Sequence, residues 1–251
     1  MEKKYVKNYL KSVIFRMDFL TSEKDIYEIM KKEIIDKIQE RFKYLEPIQT
    51  INNTNIFYDE TTNNLQANKE ELKRYVFHTV DGSADLIIDP VSIVINYNKY
   101  INSEDLKKNI EVLNSIIPQI TVNRVGLRYV NYFENNKLGS IDWEKYISED
   151  LLKTIKYDYE TKVLQAINVV DLKYEECVLK IQYGLHNQNF PSDRIKDAFV
   201  LDFDASSNEI TSRDNVSDIA IKWNGIIENL FEKAIKDDLR SVLNSESDTE
   251  L

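Results

Sequence analysis

The sequence predicts an α+β fold, an antiparallel sheet with helices packed on it. Three observations predict it. Several stretches between Val13 and Asp204 alternate apolar and polar residues, the period of a strand. Between them lie segments with an apolar residue at every third or fourth position, the period of a helix. The order of the two patterns runs β-α-β-β-β-α and then repeats, which suggests two similar units sharing one sheet or a half-open barrel.

Residues 13–20 alternate after Phe15 and read as the first strand. Thr21-Ser22 offers an N-cap, with Asp25 in the capping-box position. Ile26, Met30, Ile34, Ile38 and Phe42 then recur at spacing four, a long amphipathic helix closed by Pro47. Residues 48–73 are polar and rich in Asn and Thr, and read as a long excursion with a short strand at Ile56-Phe57-Tyr58. Residues 74–80 form a strand that turns at Asp81-Gly82, a hairpin signal. Residues 85–88 are the next strand, ended by Asp89-Pro90, and residues 91–97 the one after. Ser103 opens a helix with Leu106, Ile110, Leu113 and Ile117 on one stripe, and Pro118 closes it.

The second half follows the same order. Residues 120–133 form a long strand, and Gly139-Ser140 leads into a helix carrying Trp143, Ile147, Leu151 and Ile155. Strands follow at 162–170, 176–183 and 198–204. A last helix covers about residues 217–243, with Trp223, Ile227, Leu230, Ala234 and Leu239 turned inward. The expected units are therefore 1–117 and 118–245 within one domain. The acidic tail 246–251 is expected to be disordered.

Composition narrows the function classes. Lys and Arg number 33 against 43 Asp and Glu, a net charge of -10 that disfavours nucleic-acid partners. One cysteine excludes an intramolecular disulfide, and two histidines with one cysteine are too few for a His/Cys zinc site. No metal and no cofactor are predicted. The positive N-terminus lacks an apolar core and no apolar run could span a bilayer, so the chain reads as cytoplasmic and not membrane-bound. No GxSxG, Walker A, HExxH or GxGxxG motif is present.

The densest constellation is Arg124-Val125-Gly126-Leu127-Arg128-Tyr129-Val130-Asn131. Side chains alternate along a strand, so Arg124, Gly126 and Arg128 share a face, with the two arginine Cα atoms about 13 Å apart. Two guanidinium forks flanking a glycine suit a phosphate or carboxylate ligand, with the backbone open between them. Leu201-Asp202-Phe203-Asp204 places two carboxylates on one face of a later strand. Asp202 and Asp204 could pair with the arginines across the sheet, or with them form a ligand site. His78 on a predicted strand and His186 in the loop after another read as packed or solvated histidines, and Cys177 as a buried thiol without a base. The many tyrosines, Tyr97, Tyr100, Tyr129 and Tyr132 among them, read as cross-strand core pairs before base-stacking platforms.

These two motifs, together with Val13-Ile14-Phe15 and a closing helix containing Phe231-Glu232-Lys233-Ala234-Ile235 before Leu239-Arg240, resemble a sporadically distributed family of uncharacterised bacterial proteins of similar length. The resemblance implies a place in mobile-element or defence loci, and it supplies no activity and no site residue. The expected function is a non-catalytic binding module for a partner protein or small ligand, with Arg124, Arg128, Asp202 and Asp204 as its binding residues. A nucleic-acid-binding face of arginines and aromatics is one alternative. A phosphoesterase-like enzyme using the same four residues is the other.

Overall fold

The computed structural model describes residues 5–7, 9–19, 31–59, 64–100, 102–116, 121–134 and 141–245. The expected cap at Thr21-Ser22, the helical positions Ile26 and Met30, Ile117, Pro118, Gly139-Ser140 and the tail 246–251 lie outside the described residues.

In chain order the first half comprises β1 (Leu10–Phe19), α1 (Lys32–Gln39), β2 (Tyr44–Leu45), β3 (Gln49–Asp59), β4 (Asn64–His78), β5 (Ala84–Asp89), β6 (Ser92–Tyr97) and α2 (Ser103–Ile116). The second comprises β7 (Thr121–Glu134), α3 (Glu149–Lys156), β8 (Ala166–Lys173), β9 (Val178–His186), β10 (Ala198–Ser207), β11 (Thr211–Ser212), α4 (Val216–Ala234) and α5 (Asp237–Asn244). Short 3-10 turns at Trp143–Lys145 and Arg213–Asn215 precede α3 and α4. The fold is α+β, with all strand pairs antiparallel in one open sheet ordered β2-β4-β5-β6-β1-β7-β10-β9-β8. β3 pairs with β4, and β11 with β7. Read outward from the central β1–β7 pair, the order is β6, β5, β4 on one side and β10, β9, β8 on the other.

Alternation produces the sheet's two faces. Val13, Phe15 and Met17 of β1, Leu127 and Phe133 of β7, and Phe199, Leu201 and Phe203 of β10 are buried on the inner face. Leu106 and Ile110 of α2 and Ala220, Trp223 and Ile227 of α4 belong to the same core. Burying such stripes against the sheet is the main source of stability for both elements. The residues between them, Ile14, Arg16 and Asp18 on β1 and Arg124 and Arg128 on β7, are only partly covered. Among the described residues that second face carries no helix at the sheet centre.

Two expectations are corrected. Residues 48–73 are not an irregular excursion: β3 and β4 pair continuously from Gln49↔Arg74 to Asp59↔Asn64. The segment lacks the apolar alternation that marks a half-buried strand, so the backbone ladder left no period to read. The helix expected over Trp143 to Ile155 and the last helix are each interrupted. The two breaks meet, with Ile147 bridging Ile235. Ser148 N–H donates to the Ala234 carbonyl and Lys236 N–H to the Tyr146 carbonyl, both at 2.8 Å. Backbone groups freed at one break are satisfied by the other.

Candidate functional site

Arg124, Arg128, Asp202 and Asp204 all lie on that second face, on β7 and β10. The register puts Asp204 directly opposite Arg128 and Asp202 opposite Val130. The ion pair is nonetheless diagonal. Arg128 Nε donates to Asp202 Oδ1 at 2.9 Å and Nη2 to Oδ2 at 2.6 Å. Both carboxylate oxygens of Asp202 are therefore held by one guanidinium, a bidentate geometry that raises the arginine's proton affinity.

Arg124 is placed differently. Its Nη1 reaches Asp18 Oδ2 at 3.3 Å, and Asp18 Oδ1 accepts from Arg16 Nε at 2.7 Å. One aspartate thus serves two arginines. The Arg124 guanidinium folds back over Gly126, where an added Cβ would lie 3.6 Å from Nη1. The guanidinium occupies the space over Gly126, where the sequence suggested an open approach to the backbone, and it stands at ordinary contact distance from where a Cβ would lie. Arg124 makes no other hydrogen bond among the described residues.

Asp204 makes no hydrogen bond or ion pair among the described residues. Burial pushes its carboxyl above the usual range, and nearby Arg128 pulls the other way. Lys180 of β9 stands opposite it in register, and Asp171 of β8 opposite Lys180. Arg124, Lys180, Asp204 and Ser206 share one wall of a broad, open concavity continuing to Glu175 and Glu209. The face thus holds a positive group, Arg16–Asp18–Arg124, next to a negative one, Arg128–Asp202–Asp204.

Sequence reading gathered the four residues but missed Arg16, Asp18 and Lys180. Arg16-Met17-Asp18 carries its own signal, two charges at strand spacing within the first strand. What joins them to Arg124 is the β1–β7 pairing, which is not written locally.

The other candidates stand apart. His78 Nδ1 lies 2.7 Å from Asp85 and Nε2 2.8 Å from Glu46, at the far end of the sheet. His186 contacts the Tyr132 hydroxyl through Nδ1 at 3.3 Å. Cys177 is buried, which pushes its thiol up and away from the reactive thiolate. Among the described residues no three His, Cys, Asp or Glu side chains are grouped to hold a metal ion. None of the described helices is long and apolar enough to cross a membrane. No family model matches this chain, and no curated protein matches it.

Proposed function

We propose that this protein is a non-catalytic binding module that recognises a partner protein through that second face, at the centre of its sheet. One observation carries the reading: Asp204, a half-buried carboxylate with no donor among the described residues, stands beside the underused guanidinium of Arg124. A carboxylate held partly out of water without a donor is costly. An ammonium or guanidinium group of a partner would supply the donors, and a partner carboxylate would take up the spare N–H groups of Arg124.

The charge balance favours a protein over a nucleic acid. Arg16, Arg74, Arg124 and Arg128 each pair with an aspartate, Arg16 and Arg124 with the same one, which offsets their charge toward phosphates. The phosphoesterase reading needs both carboxylates available, and Asp202 is engaged at both oxygens by Arg128. The mirrored strand order about the β1–β7 pair supports reading the two halves as an internal duplication.

The test is direct. A partner captured on the wild-type chain by crosslinking is purified, and its affinity is measured for the parent, Arg124→Gln and Asp204→Asn. Both variants should melt like the parent and bind at least about tenfold more weakly. A purified partner that binds all three equally overturns the reading.

A further inference from the structure

On the opposite side of β7 from Arg128, a cavity of about 120 Å³ lies between that strand, the N-terminal segment and α4. Its walls are mostly aromatic and aliphatic. Tyr100 and Tyr129 meet edge to face with centroids 5.4 Å apart, and Tyr5 meets Phe231 in the same way at 6.4 Å. The polar lining is Asn131 of β7 and Asn224 of α4, exposed by only 5 % and 8 %, together with the charged Lys7, Glu228 and Glu232.

Each asparagine is half satisfied. Asn131 Nδ2 donates to the Leu201 carbonyl at 3.1 Å, and its Oδ1 has no partner among the described residues. Asn224 Oδ1 accepts from the Tyr129 hydroxyl, and its Nδ2 has no partner among the described residues. Here one acceptor and one donor are unmet together, in two residues lining the same cavity.

Size and charge narrow the ligand further. An enclosed apolar cavity of about 150 Å³ holds benzene; this one, at about 120 Å³, is smaller but open to solvent on one side, so it can seat no more than a single six-membered ring with part of it outside. The ionised groups nearby are already engaged. Glu232 accepts from the Tyr5 hydroxyl and from Arg240 Nε at 3.1 Å, while Lys7 and Glu228 each have a partner. The geometry points to a neutral monocyclic aromatic ligand with an amide or lactam edge. Its N–H would donate to Asn131 Oδ1, its carbonyl would accept from Asn224 Nδ2, and its ring would pack among Tyr100, Tyr129 and Phe231. This site and the Asp204 surface lie on opposite faces of the sheet, so either proposal can fail without the other.

The experiment titrates the full chain with benzamide and 2-pyridone, following binding by ligand-observed NMR. Toluene and benzoate are the shape-matched controls. Saturable binding of benzamide or 2-pyridone is expected, at least tenfold tighter than either control and lost in Asn224→Ala. Should Asn224→Ala fail to fold, Leu10→Phe replaces it, since Leu10 lines the rim of the cavity. Toluene binding as well as benzamide would reduce the cavity to an apolar void and overturn the assignment. Benzamide binding that survives the folded variant, or no binding by either amide, overturns it equally.

Discussion

Arg128 grips Asp202 through two hydrogen bonds, although the residue directly across the ladder from it is Asp204. The pair is sealed on one side only, with side-chain exposure of 7 % for Asp202 and 40 % for Arg128. Removing the arginine leaves a carboxylate that water reaches poorly. Arg128→Gln should therefore cost about 2–3 kcal/mol of stability. Arg124→Gln loses one longer contact to an aspartate that keeps Arg16, and should cost less than about 1 kcal/mol. Urea unfolding of the two variants measures the difference, and equal losses would refute the asymmetry.

The two strand glycines should respond in opposite ways to alanine. At Gly126 an added Cβ meets Arg124 at ordinary van der Waals distance, so Gly126→Ala should melt close to the parent. Gly184 has φ +141°, and a Cβ there would lie 1.9 Å from the Ala166 carbonyl oxygen. That neighbour is backbone of the adjacent strand β8 and cannot turn aside. Gly184→Ala should cost more than about 2 kcal/mol and loosen the β8–β9 edge. Thermal melts decide it, and a Gly184→Ala chain as stable as the parent would show that β8 sits elsewhere.

The sheet was legible wherever one strand face is buried. Residues 13–20, 85–88 and 198–204 announced themselves because Phe15, Leu86 and Phe203 recur against polar neighbours. The β3–β4 hairpin has no such contrast, and its pairing is carried by backbone groups that every sequence possesses. The helix breaks at Ile147 and Ile235 were invisible for a related reason. Each apolar stripe continues through its break, and only the contact between the two breaks explains them. The site residues were legible as strand faces, but the choice of Asp202 over Asp204 by Arg128 depends on side-chain geometry that register alone does not determine.

Trp223 is 1 % exposed and sits on the stripe of α4 that faces the sheet. Its neighbours along that stripe, Ala220 and Ile227, are buried with it. Truncation to alanine removes a large ring that the surrounding core cannot refill. Trp223→Ala should lose about 3–5 kcal/mol. Chemical denaturation followed by far-UV circular dichroism measures it, and a midpoint unchanged from the parent would place the helix's inner face elsewhere.

His78 ties three segments together at the sheet's far end. It ends β4, Asp85 lies in the neighbouring β5, and Glu46 follows the edge strand β2. With a carboxylate at each ring nitrogen, both nitrogens must donate, so the bonded form is the imidazolium. The hydrogen bond to Asp85 and then that to Glu46 raise its pKa above the ordinary histidine value. The direction of the pH effect follows. Below the ordinary value both folded and unfolded chains carry the proton, and the full stabilisation is present. Between the ordinary and the raised value only the folded chain keeps it, so stability falls as pH rises through that window. Above the raised value the contribution is gone. The side chain is 31 % exposed, so the effect is that of a partly solvated pair, under about 1 kcal/mol. The melting temperature of the parent should exceed that of His78→Ala most at about pH 6, and the gap should narrow toward about pH 9. A gap that stays constant across that range would mean that His78 is neutral in the folded chain and that the two carboxylates do not hold its second proton.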